Sequence, residues 1–211
     1  MTYLYLVRHG ETDWNRARRI QGKTDIPLNE TGRAQAWETG RLLARRKWHG
    51  IVTSPLARAA ETARIIAEEL GMPAPEELNA IVERNYGEAE GLTGAELHSR
   101  FPEGSPVAGR ETREAVADRV LPALIDLAEQ NLGRSLIVVS HGGVIRTVLK
   151  EVGPDHGPHH TDAITNGSVH SLRYVDDALQ LIAFDDPIES ESVTAGADDF
   201  PEQNPIERRE S

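Results

Sequence analysis

An arginine and a histidine that directly follow an apolar segment are the first residues of this sequence able to do chemistry. Arg8 and His9 come after residues 3–7, and Gly10 follows them. The arginine guanidinium offers a rigid fork of donors that suits a phosphate, and the imidazole can act as a nucleophile, a base or a ligand. The pair alone is a weak indication, because a single arginine or histidine after a strand is more often structural.

Two later segments repeat this arrangement of an apolar segment followed by polar residues. The polar residues are Ser54, Pro55 and Arg58 after segment 51–53, and Ser140, His141 and Gly142 after segment 136–139. If the three apolar segments are parallel strands, their carboxyl ends lie at one edge of the sheet. Helix N-termini at this edge would add free N–H groups for an anion. The sequence therefore predicts a phosphate held by two arginines and two histidines.

The rest of the chain alternates between strand and helix patterns, which predicts an α/β fold. Segment 3–7 is apolar on both faces, as expected of a strand covered by helices on each side. Gly10 is expected to let the chain turn sharply after this strand. Further strands are predicted at 51–53 and 136–139, and a hairpin of two strands is predicted at 168–174 and 179–184. One helix is predicted at 34–46, with Trp37 on its buried face, and another from Pro55 to Gly71, with Ser54 as its N-cap. Further helices are predicted at 93–101, at 111–132 and from Val144.

Composition narrows the class of protein. With 211 residues, 38% of them apolar and 27% charged, the chain is expected to be a soluble globular protein with one full-sized domain. It contains no cysteine, which excludes disulfides and thiolate chemistry and fits a cytoplasmic location. No signal peptide or membrane span is indicated, because the chain enters a strand at once and has no long apolar run.

The formal net charge of −11 is concentrated at the end of the sequence. Residues 185–211 carry nine acids and two bases, hence −7, which leaves only −4 on residues 1–184. We expect 185–211 to be an acidic, disordered tail after a domain of residues 1–184, because the tail is poor in apolar residues. Local arginines can dominate a pocket in the nearly balanced domain. Nucleic acid and membranes are not expected partners, since no basic stripe is present.

Five short motifs in a fixed order make the sequence similar to a known family. They are 6–12 (LVRHGET), 18–32 (RRIQGKTDIPLNETG), 54–62 (SPLARAAET), 83–87 (ERNYG) followed by Glu90 and Gly91, and 140–143 (SHGG). Together they resemble the histidine phosphatase superfamily, also called the phosphoglycerate mutase-like family, over about residues 3–184. The resemblance implies a three-layer α/β/α sandwich with a mixed, mostly parallel sheet, no metal and no other cofactor.

The resemblance also implies roles for individual residues. His9 matches the nucleophile that becomes phosphorylated, and Glu83 matches the proton donor. Arg8, Arg58 and His141 match the residues that hold the phosphate. Further substrate contacts are implied for Asn15, Gln21, Gly22 and Gly142. The chemistry agrees, because flanking cations disfavour protonation of His9, while Glu83 could protonate a leaving alkoxide and then activate water.

Three functions remain open. The first is a metal-independent phosphatase that hydrolyses small-molecule phosphomonoesters through a phosphohistidine on His9. The second is a cofactor-dependent phosphoglycerate mutase, and the third is a non-catalytic, phosphate-binding regulatory module. The third is disfavoured because His9 and Glu83 are both present. A homodimer remains an open alternative to a monomer.

The mutase is disfavoured by two departures from the mutase pattern. Mutases carry a lysine shortly after the string 83–87, where this chain has Thr93 and Gly94. They also carry a longer insertion with paired arginines, where this chain has only the segment 101–109. A mutase must keep water away from its phosphohistidine, whereas a short loop predicts an open site. The sequence therefore favours a hydrolase.

Two further expectations concern side chains near the site. Four acids fall in segments expected to wall the pocket, which would favour esters of neutral alcohols over substrates with extra carboxylates or phosphates, although Arg84, Arg100 and Arg110 could offset this effect. The four acids are Glu88, Glu90, Glu96 and Glu103. Three histidines could suggest a metal, but their polar, Gly/Pro-containing loop explains them better. They are His156, His159 and His160.

Overall fold

The computed structural model describes residues 1–153 and 162–188. The strands of this part are β1 (Thr2–Arg8), β2 (Gly50–Thr53), β3 (Glu76–Glu77), β4 (Ser135–Ser140), β5 (Val169–Val175) and β6 (Ala178–Ala183). The helices are α1 (Asp13–Arg16), α2 (Glu30–Leu43), α3 (Ala57–Leu70), α4 (Gly94–Arg100), α5 (Arg113–Glu129) and α6 (Gly142–Val152), and single 3₁₀ turns lie at Asn79–Ile81 and Gly87–Ala89. In the described ranges, no helix is long and apolar enough to cross a membrane.

The six strands form one sheet in the order β3-β2-β4-β1-β5-β6. β4 pairs in parallel with both β1 and β2, and β2 pairs in parallel with β3. β5 runs antiparallel to β1 and to β6. The sheet is therefore mixed and mostly parallel, and β1, β2 and β4 end at the same edge, as predicted.

Helices cover both faces of the sheet. Successive side chains of each central strand point to opposite faces, so each strand contributes to both of the resulting cores. Leu6 of β1 belongs to an apolar core that includes Val120 of α5 and Val148 of α6. Val7, the next residue, belongs to a second core that includes Ile66 of α3. The three-layer α/β/α sandwich is thus confirmed.

The helix α2 begins four residues before its predicted start. The Asn29 side chain accepts a hydrogen bond from the Gly32 amide at 2.8 Å, and this cap starts the helix at Glu30. The buried residues of α2 are Gly32, Ala36, Thr39, Gly40 and Leu43. Trp37 is 48% exposed, so the prediction that it lies on the buried face is wrong. The Arg41 guanidinium lies over its ring instead.

The predicted capping role of Ser54 is also wrong. The helix α3 begins at Ala57, and Leu56 occupies its N-cap position. The Ser54 hydroxyl lies 2.7 Å from Nε2 of His141, which follows the neighbouring strand β4. The predicted end of the helix is confirmed, since Gly71 adopts a left-handed conformation with φ of 62°. Ser54 thus joins the strand-end residues instead of the helix.

Gly10 is required for a close backbone contact and not for a left-handed turn. It does not belong to the residues with positive φ in the described chain. A Cβ atom at Gly10 would lie only 2.2 Å from the carbonyl oxygen of Gly32. The backbone after β1 therefore packs directly on the first turn of α2, which no side chain would permit.

The packed domain continues past residue 184. Ile188 is fully buried in the core that contains Leu43 and Ile66. The Asp186 amide donates a hydrogen bond to the Val169 carbonyl at 2.7 Å, which extends the sheet contacts of β5. Residues 189–211 of the predicted tail lie outside the described residues, as does the loop with His156, His159 and His160.

Candidate active site

A cavity of about 300 Å³ lies at the edge of the sheet where β1, β2 and β4 end. The predicted site residues in its lining are Arg8, His9, Asn15, Gln21, Gly22, Arg58, Glu83 and Gly142. His141 lies directly beside them, with its ring centre 5.2 Å from that of His9. The structure therefore brings together all of the residues that the sequence marked. Arg19, Ile20, Tyr86, Gly143, Arg146 and Ile164 complete the described lining.

The hydrogen bonds of His9 define which ring nitrogen carries the proton. Nδ1 lies 2.7 Å from the carbonyl oxygen of Gly10, which can only accept, so Nδ1 is the protonated nitrogen. Nε2 accepts a hydrogen bond from Nε of Arg58 at 3.3 Å. The unprotonated nitrogen of His9 therefore faces a guanidinium, where an anion would be stabilised.

Both histidines of the site are neutral at neutral pH. Burial, reinforced by the charges of Arg58 and Arg8, holds the pKa of His9 well below 6.5. Burial and the charge of Arg58 likewise hold the pKa of His141 well below 6.5. His9 consequently keeps a lone pair on Nε2, as nucleophilic attack requires.

The Arg58 side chain is fully buried and fixed before any ligand binds. Nη1 donates to the carbonyl oxygen of Thr24 at 3.0 Å, and Nη2 donates to that of Gly22 at 2.8 Å. These two carbonyls belong to the segment between α1 and α2. The guanidinium is thus a preorganised cation next to His9.

Two buried nitrogens at the site lack a hydrogen-bond partner among the described residues, namely Nε of Arg8 and Nδ1 of His141. Arg8 uses Nη1 to donate to the Ile164 carbonyl at 2.5 Å, and His141 uses Nε2 to pair with Ser54. A buried polar atom without a partner costs about 1–3 kcal/mol. A ligand with oxygen acceptors would satisfy Nε of Arg8, and it would also satisfy His141 in the tautomer that carries its proton on Nδ1, so this part of the cavity suits an anion.

Glu83 is the buried carboxylate of the cavity. It accepts hydrogen bonds from the amides of Arg84 at 2.8 Å, Gly143 at 3.1 Å and Val144 at 3.2 Å. Burial raises the pKa of Glu83 above 4.5, against the opposing effect of these amides and of Arg58. The carboxyl group therefore retains a proton to higher pH than an exposed glutamate. The amides of residues 143 and 144, in the first turn of α6, donate to Glu83. The expectation that they are free to bind phosphate is therefore wrong.

Asn15 and Gln21 use their side-chain oxygens within the protein. Asn15 Oδ1 accepts from the Thr12 amide at 3.1 Å and completes the capping box of α1. Gln21 Oε1 accepts from the Thr12 hydroxyl at 2.9 Å. To an anionic ligand, each side chain therefore offers the N–H donors of its amide group.

The two predicted glycines shape the cavity through the space they leave. Gly22 has φ of 58°, and a Cβ there would lie 1.9 Å from Oε1 of Glu90. A Cβ at Gly142 would lie 3.3 Å from Nε of Arg8. The Arg8 guanidinium thus lies against bare backbone at the start of α6.

Glu90 ties two walls of the cavity together. Oε1 accepts hydrogen bonds from the amides of Lys23 at 3.0 Å and Tyr86 at 3.1 Å. Oε2 accepts from the amide of Thr24 at 3.0 Å and from its hydroxyl at 2.5 Å. These bonds lower the pKa of Glu90 in spite of partial burial, which acts to raise it. The segment that supports Arg58 is thereby attached to the segment that carries Tyr86.

The sequence did not predict the six further lining residues named above, nor Asn166. Tyr86 and Arg146 line the cavity, and Asn166 donates from Nδ2 to the His9 carbonyl at 2.8 Å. Arg146 could have been found, because it lies one turn into the helix after β4, just as Arg58 lies at the start of the helix after β2. Asn166 precedes an antiparallel strand and carries no such pattern.

The expectation that acids wall the pocket is wrong. Glu83 is the sole carboxylate in the described lining. Glu96 is paired with Arg19 at 3.0 Å, and Glu88 is paired with Arg100 at 3.5 Å. Cations are present instead, since the guanidinium carbons of Arg84 and Arg110 lie 5.3 and 5.8 Å from the centre of the Tyr86 ring. The surroundings of the cavity therefore favour anions.

No group of three His, Asp or Glu side chains within residues 1–153 and 162–188 is arranged to hold a metal ion. The charged groups that face the cavity there are arginines and one carboxylate. The described site thus suits an anionic ligand.

The central parallel strands of this three-layer α/β/α sandwich end at buried arginines and neutral histidines. This arrangement is typical of an enzyme that acts on phosphate groups. The chain belongs to the Histidine phosphatase superfamily (branch 1), whose family model matches residues 4–187. It is accordingly a hydrolase of the phosphatase type.

Individual relatives agree with this membership. The chain is 38% identical over 181 residues to "Uncharacterized phosphatase PhoE" of Bacillus subtilis, an alignment that covers 86% of this chain and 93% of the relative. It is 33% identical to a 2,3-bisphosphoglycerate-dependent phosphoglycerate mutase of Gloeobacter violaceus, over 74% of this chain and 77% of that protein. Its fold superposes on the mycobacterial glucosyl-3-phosphoglycerate phosphatase with a TM-score of 0.78 and 28% identity, covering 87% and 98% of the two chains.

Proposed function

We propose that this protein is a metal-independent phosphatase that hydrolyses small phosphomonoesters through a phosphohistidine on His9. The observation that carries the proposal is the neutral His9 ring, protonated on Nδ1 and directed through Nε2 at Arg58. Around it, the unpartnered nitrogens of Arg8 and His141 supply donors for phosphate oxygens. The chain's own residues thus provide a nucleophile, charge stabilisation and a proton donor.

In the first step, Nε2 of His9 attacks phosphorus while the bond from phosphorus to the ester oxygen breaks. Protonated Glu83 gives its proton to the leaving oxygen, which departs as a neutral alcohol. Arg8, Arg58 and His141 stabilise the charge on the three remaining phosphate oxygens. If Nδ1 of His141 donates to the phosphate, the Ser54 hydroxyl is the donor to Nε2, which fixes the tautomer.

In the second step, water attacks the phosphorus of the phosphohistidine and the bond to Nε2 breaks. The Glu83 carboxylate takes one proton from this water and returns to its starting state. Inorganic phosphate leaves, and His9 is again neutral with its proton on Nδ1. The enzyme is thereby ready for the next substrate.

Water, and not a second alcohol, is the proposed acceptor. The short segment 101–109 does not contribute to the described lining of the cavity. Of the described residues, none in this segment closes the cavity, which supports water as the acceptor that a mutase would have to exclude. The paired arginines of the mutase pattern are missing from this segment. The Arg110 guanidinium, which lies beside the Tyr86 ring, is nevertheless a cation near the cavity.

Substrates with a second anionic group are the proposed class, which reverses the expectation from the four acids. Arg19 and Arg146 line the cavity in addition to the two arginines that face the phosphate. Arg84 and Arg110 lie just behind Tyr86. The name of the mycobacterial relative, a glucosyl-3-phosphoglycerate phosphatase, also points to a phosphorylated acid. Esters with a carboxylate near the phosphate should therefore have higher kcat/KM than esters of neutral alcohols.

Two measurements test the proposed function. With 3-phosphoglycerate in H₂¹⁸O, with and without 2,3-bisphosphoglycerate, we expect glycerate and phosphate carrying one ¹⁸O atom. Rapid quenching with ³²P-labelled substrate should label the wild-type protein but not His9→Ala. Efficient formation of 2-phosphoglycerate would establish the mutase instead, and labelling of His9→Ala would overturn the role of His9.

A further inference from the structure

An ion pair behind the active site holds the backbone that carries Glu83. Arg119, on α5, donates from Nε to Oε1 of Glu111 at 2.8 Å and from Nη2 to Oε2 at 3.1 Å. Both side chains are largely buried, with 25% and 16% exposure. Neither residue lines the cavity, so neither can touch a substrate there.

Arg119 also binds two main-chain carbonyls of the Glu83 segment. Nη1 donates to the carbonyl oxygen of Ala80 at 2.5 Å, and Nη2 donates to that of Glu83 at 3.4 Å. A planar guanidinium spreads its donors in a fixed geometry, so one side chain can fix two points of the chain. These contacts hold the segment at Glu83 and three residues before it.

Glu111 binds the same segment on the other side of Glu83. Its Oε2 accepts from the Asn85 amide at 3.0 Å, and its own amide donates to the Asn85 carbonyl at 2.8 Å. Its carbonyl accepts from Nε of Arg84 at 2.7 Å. The position of Glu83 is thus fixed from both directions by one ion pair.

This support matters because Glu83 belongs to no helix or strand. The nearest regular structure is the single 3₁₀ turn Asn79–Ile81. The carboxyl group nevertheless reaches the amides of Gly143 and Val144, which lie on a different helix. A shift of about 1 Å at a reacting group costs roughly 10²-fold in rate.

We propose that Glu111 and Arg119 are positioning residues for the proton donor of the reaction. Through the carbonyls of Ala80 and Glu83 and the amide of Asn85, they keep the Glu83 carboxyl group aimed at the leaving oxygen. The inference rests on the proposed role of Glu83 as an acid. It adds two residues outside the cavity on which that role depends.

The test compares two substrates whose leaving groups differ in their need for a proton. p-Nitrophenyl phosphate releases a stable phenolate, whereas 3-phosphoglycerate releases an alkoxide that must be protonated. The ratio of kcat/KM values isolates the first step, since hydrolysis of the phosphohistidine comes after release of the alcohol. We expect Arg119→Met to lower kcat/KM roughly 10²-fold for 3-phosphoglycerate, the cost of a misplaced reacting group, and far less for p-nitrophenyl phosphate.

Two further variants separate positioning from general support of the fold. Val120→Ala removes two methyl groups from a fully buried side chain at the adjacent position of the same helix. It should lower the melting temperature and leave the ratio of the two kcat/KM values unchanged. Arg119→Lys keeps the charge and should restore part of the ratio. Equal losses for both substrates in Arg119→Met, or the same ratio change in Val120→Ala, would overturn the proposal.

Glu83→Gln distinguishes failure of this inference from failure of the proposed function. Loss of an acid should cost roughly 10²–10⁴-fold with 3-phosphoglycerate and much less with p-nitrophenyl phosphate. If Glu83→Gln shows this dependence and Arg119→Met does not, the positioning role is wrong and the acid role stands. If Glu83→Gln shows no such dependence, the acid role itself is wrong.

Discussion

The Glu83 carboxylate accepts a hydrogen bond from the amide of Gly143, 3.1 Å away, in the first turn of α6. The contact leaves no room for a side chain. A Cβ at Gly143 would lie 2.5 Å from Oε1 of Glu83 and 3.1 Å from the Tyr86 hydroxyl. The helix that follows β4 thus supports the proton donor through its bare backbone.

Gly143→Ala should therefore displace the Glu83 carboxyl group. We expect kcat/KM for 3-phosphoglycerate to fall roughly 10-fold to 10²-fold, because the reacting group is misplaced. Gly94→Ala is the matched control, since Gly94 also lies in the first turn of a helix and a Cβ there meets no atom within 4 Å. Steady-state kinetics of both variants check the prediction, and wild-type activity in Gly143→Ala would contradict it.

Glu90→Gln should weaken phosphate binding, although the Glu90 side chain does not line the cavity. The substitution replaces one carboxylate oxygen by an NH₂ group that faces N–H donors, either the amides of Lys23 and Tyr86 at Oε1 or the amide of Thr24 at Oε2. A buried donor left without an acceptor costs about 1–3 kcal/mol. The melting temperature should fall and the inhibition constant of inorganic phosphate should rise, because this segment supports Arg58.

Glu88→Gln is the control for Glu90. Glu88 is exposed, and its carboxylate forms a surface pair with Arg100. Such pairs contribute about 0–1 kcal/mol. Equal effects of the two substitutions would show that Glu90 has no special supporting role.

Stability should fall as the pH drops below 6.5. The folded-state pKa values of His9 and His141 are both lowered by burial, so the unfolded chain binds more protons than the folded chain in this range. Each histidine can then contribute a slope of about 1.4 kcal/mol per pH unit. Glu83 acts in the opposite sense, because burial raises its pKa and the folded state retains its proton longer.

Urea unfolding at several pH values between 7 and 5 measures this slope. Replacing both His9 and His141 by asparagine should flatten the loss of stability on acidification. The exposed His98 provides the control variant, His98→Asn. An unchanged slope in the double variant would contradict the burial of two neutral histidines.

Removal of the acidic tail should leave the melting temperature nearly unchanged, provided that Ile188 is kept. A chain that ends after Ile188 should retain the melting temperature and kcat of the full chain. A chain that ends after Phe184 loses the fully buried Ile188 side chain, which should cost about 2–5 kcal/mol. Thermal unfolding of the two truncated chains checks this, and equal stabilities would show that the Ile188 contact contributes nothing.

The sequence predicted those parts of the site that are attached to regular elements. Arg8, Arg58 and His141 could be placed because each lies at or shortly after the end of a strand whose apolar pattern is visible and whose carboxyl end lies at a known edge of the sheet. The surroundings of Glu83 could not be placed, because they arise from contacts between irregular segments. Such contacts leave no periodic pattern in the chain.

Ser54 illustrates the same limit at a single residue. Serine before proline at the start of a helix is a reliable local pattern for an N-cap. Its hydroxyl pairs instead with His141, which is 87 positions away in the sequence. The tertiary contact overrides the local preference, and this outcome is visible only after β2 and β4 are adjacent.

The position of β1 in the sheet has a consequence for synthesis of the chain. β1 directly precedes His9 and leaves the ribosome before its two neighbours in the sheet, β4 and β5, which begin only at Ser135 and Val169. Until then, its apolar residues have no sheet to join. Contacts between such distant segments slow folding and leave apolar surface exposed meanwhile. We therefore expect the nascent chain to acquire its catalytic centre late and to need protection from aggregation until β4 has emerged.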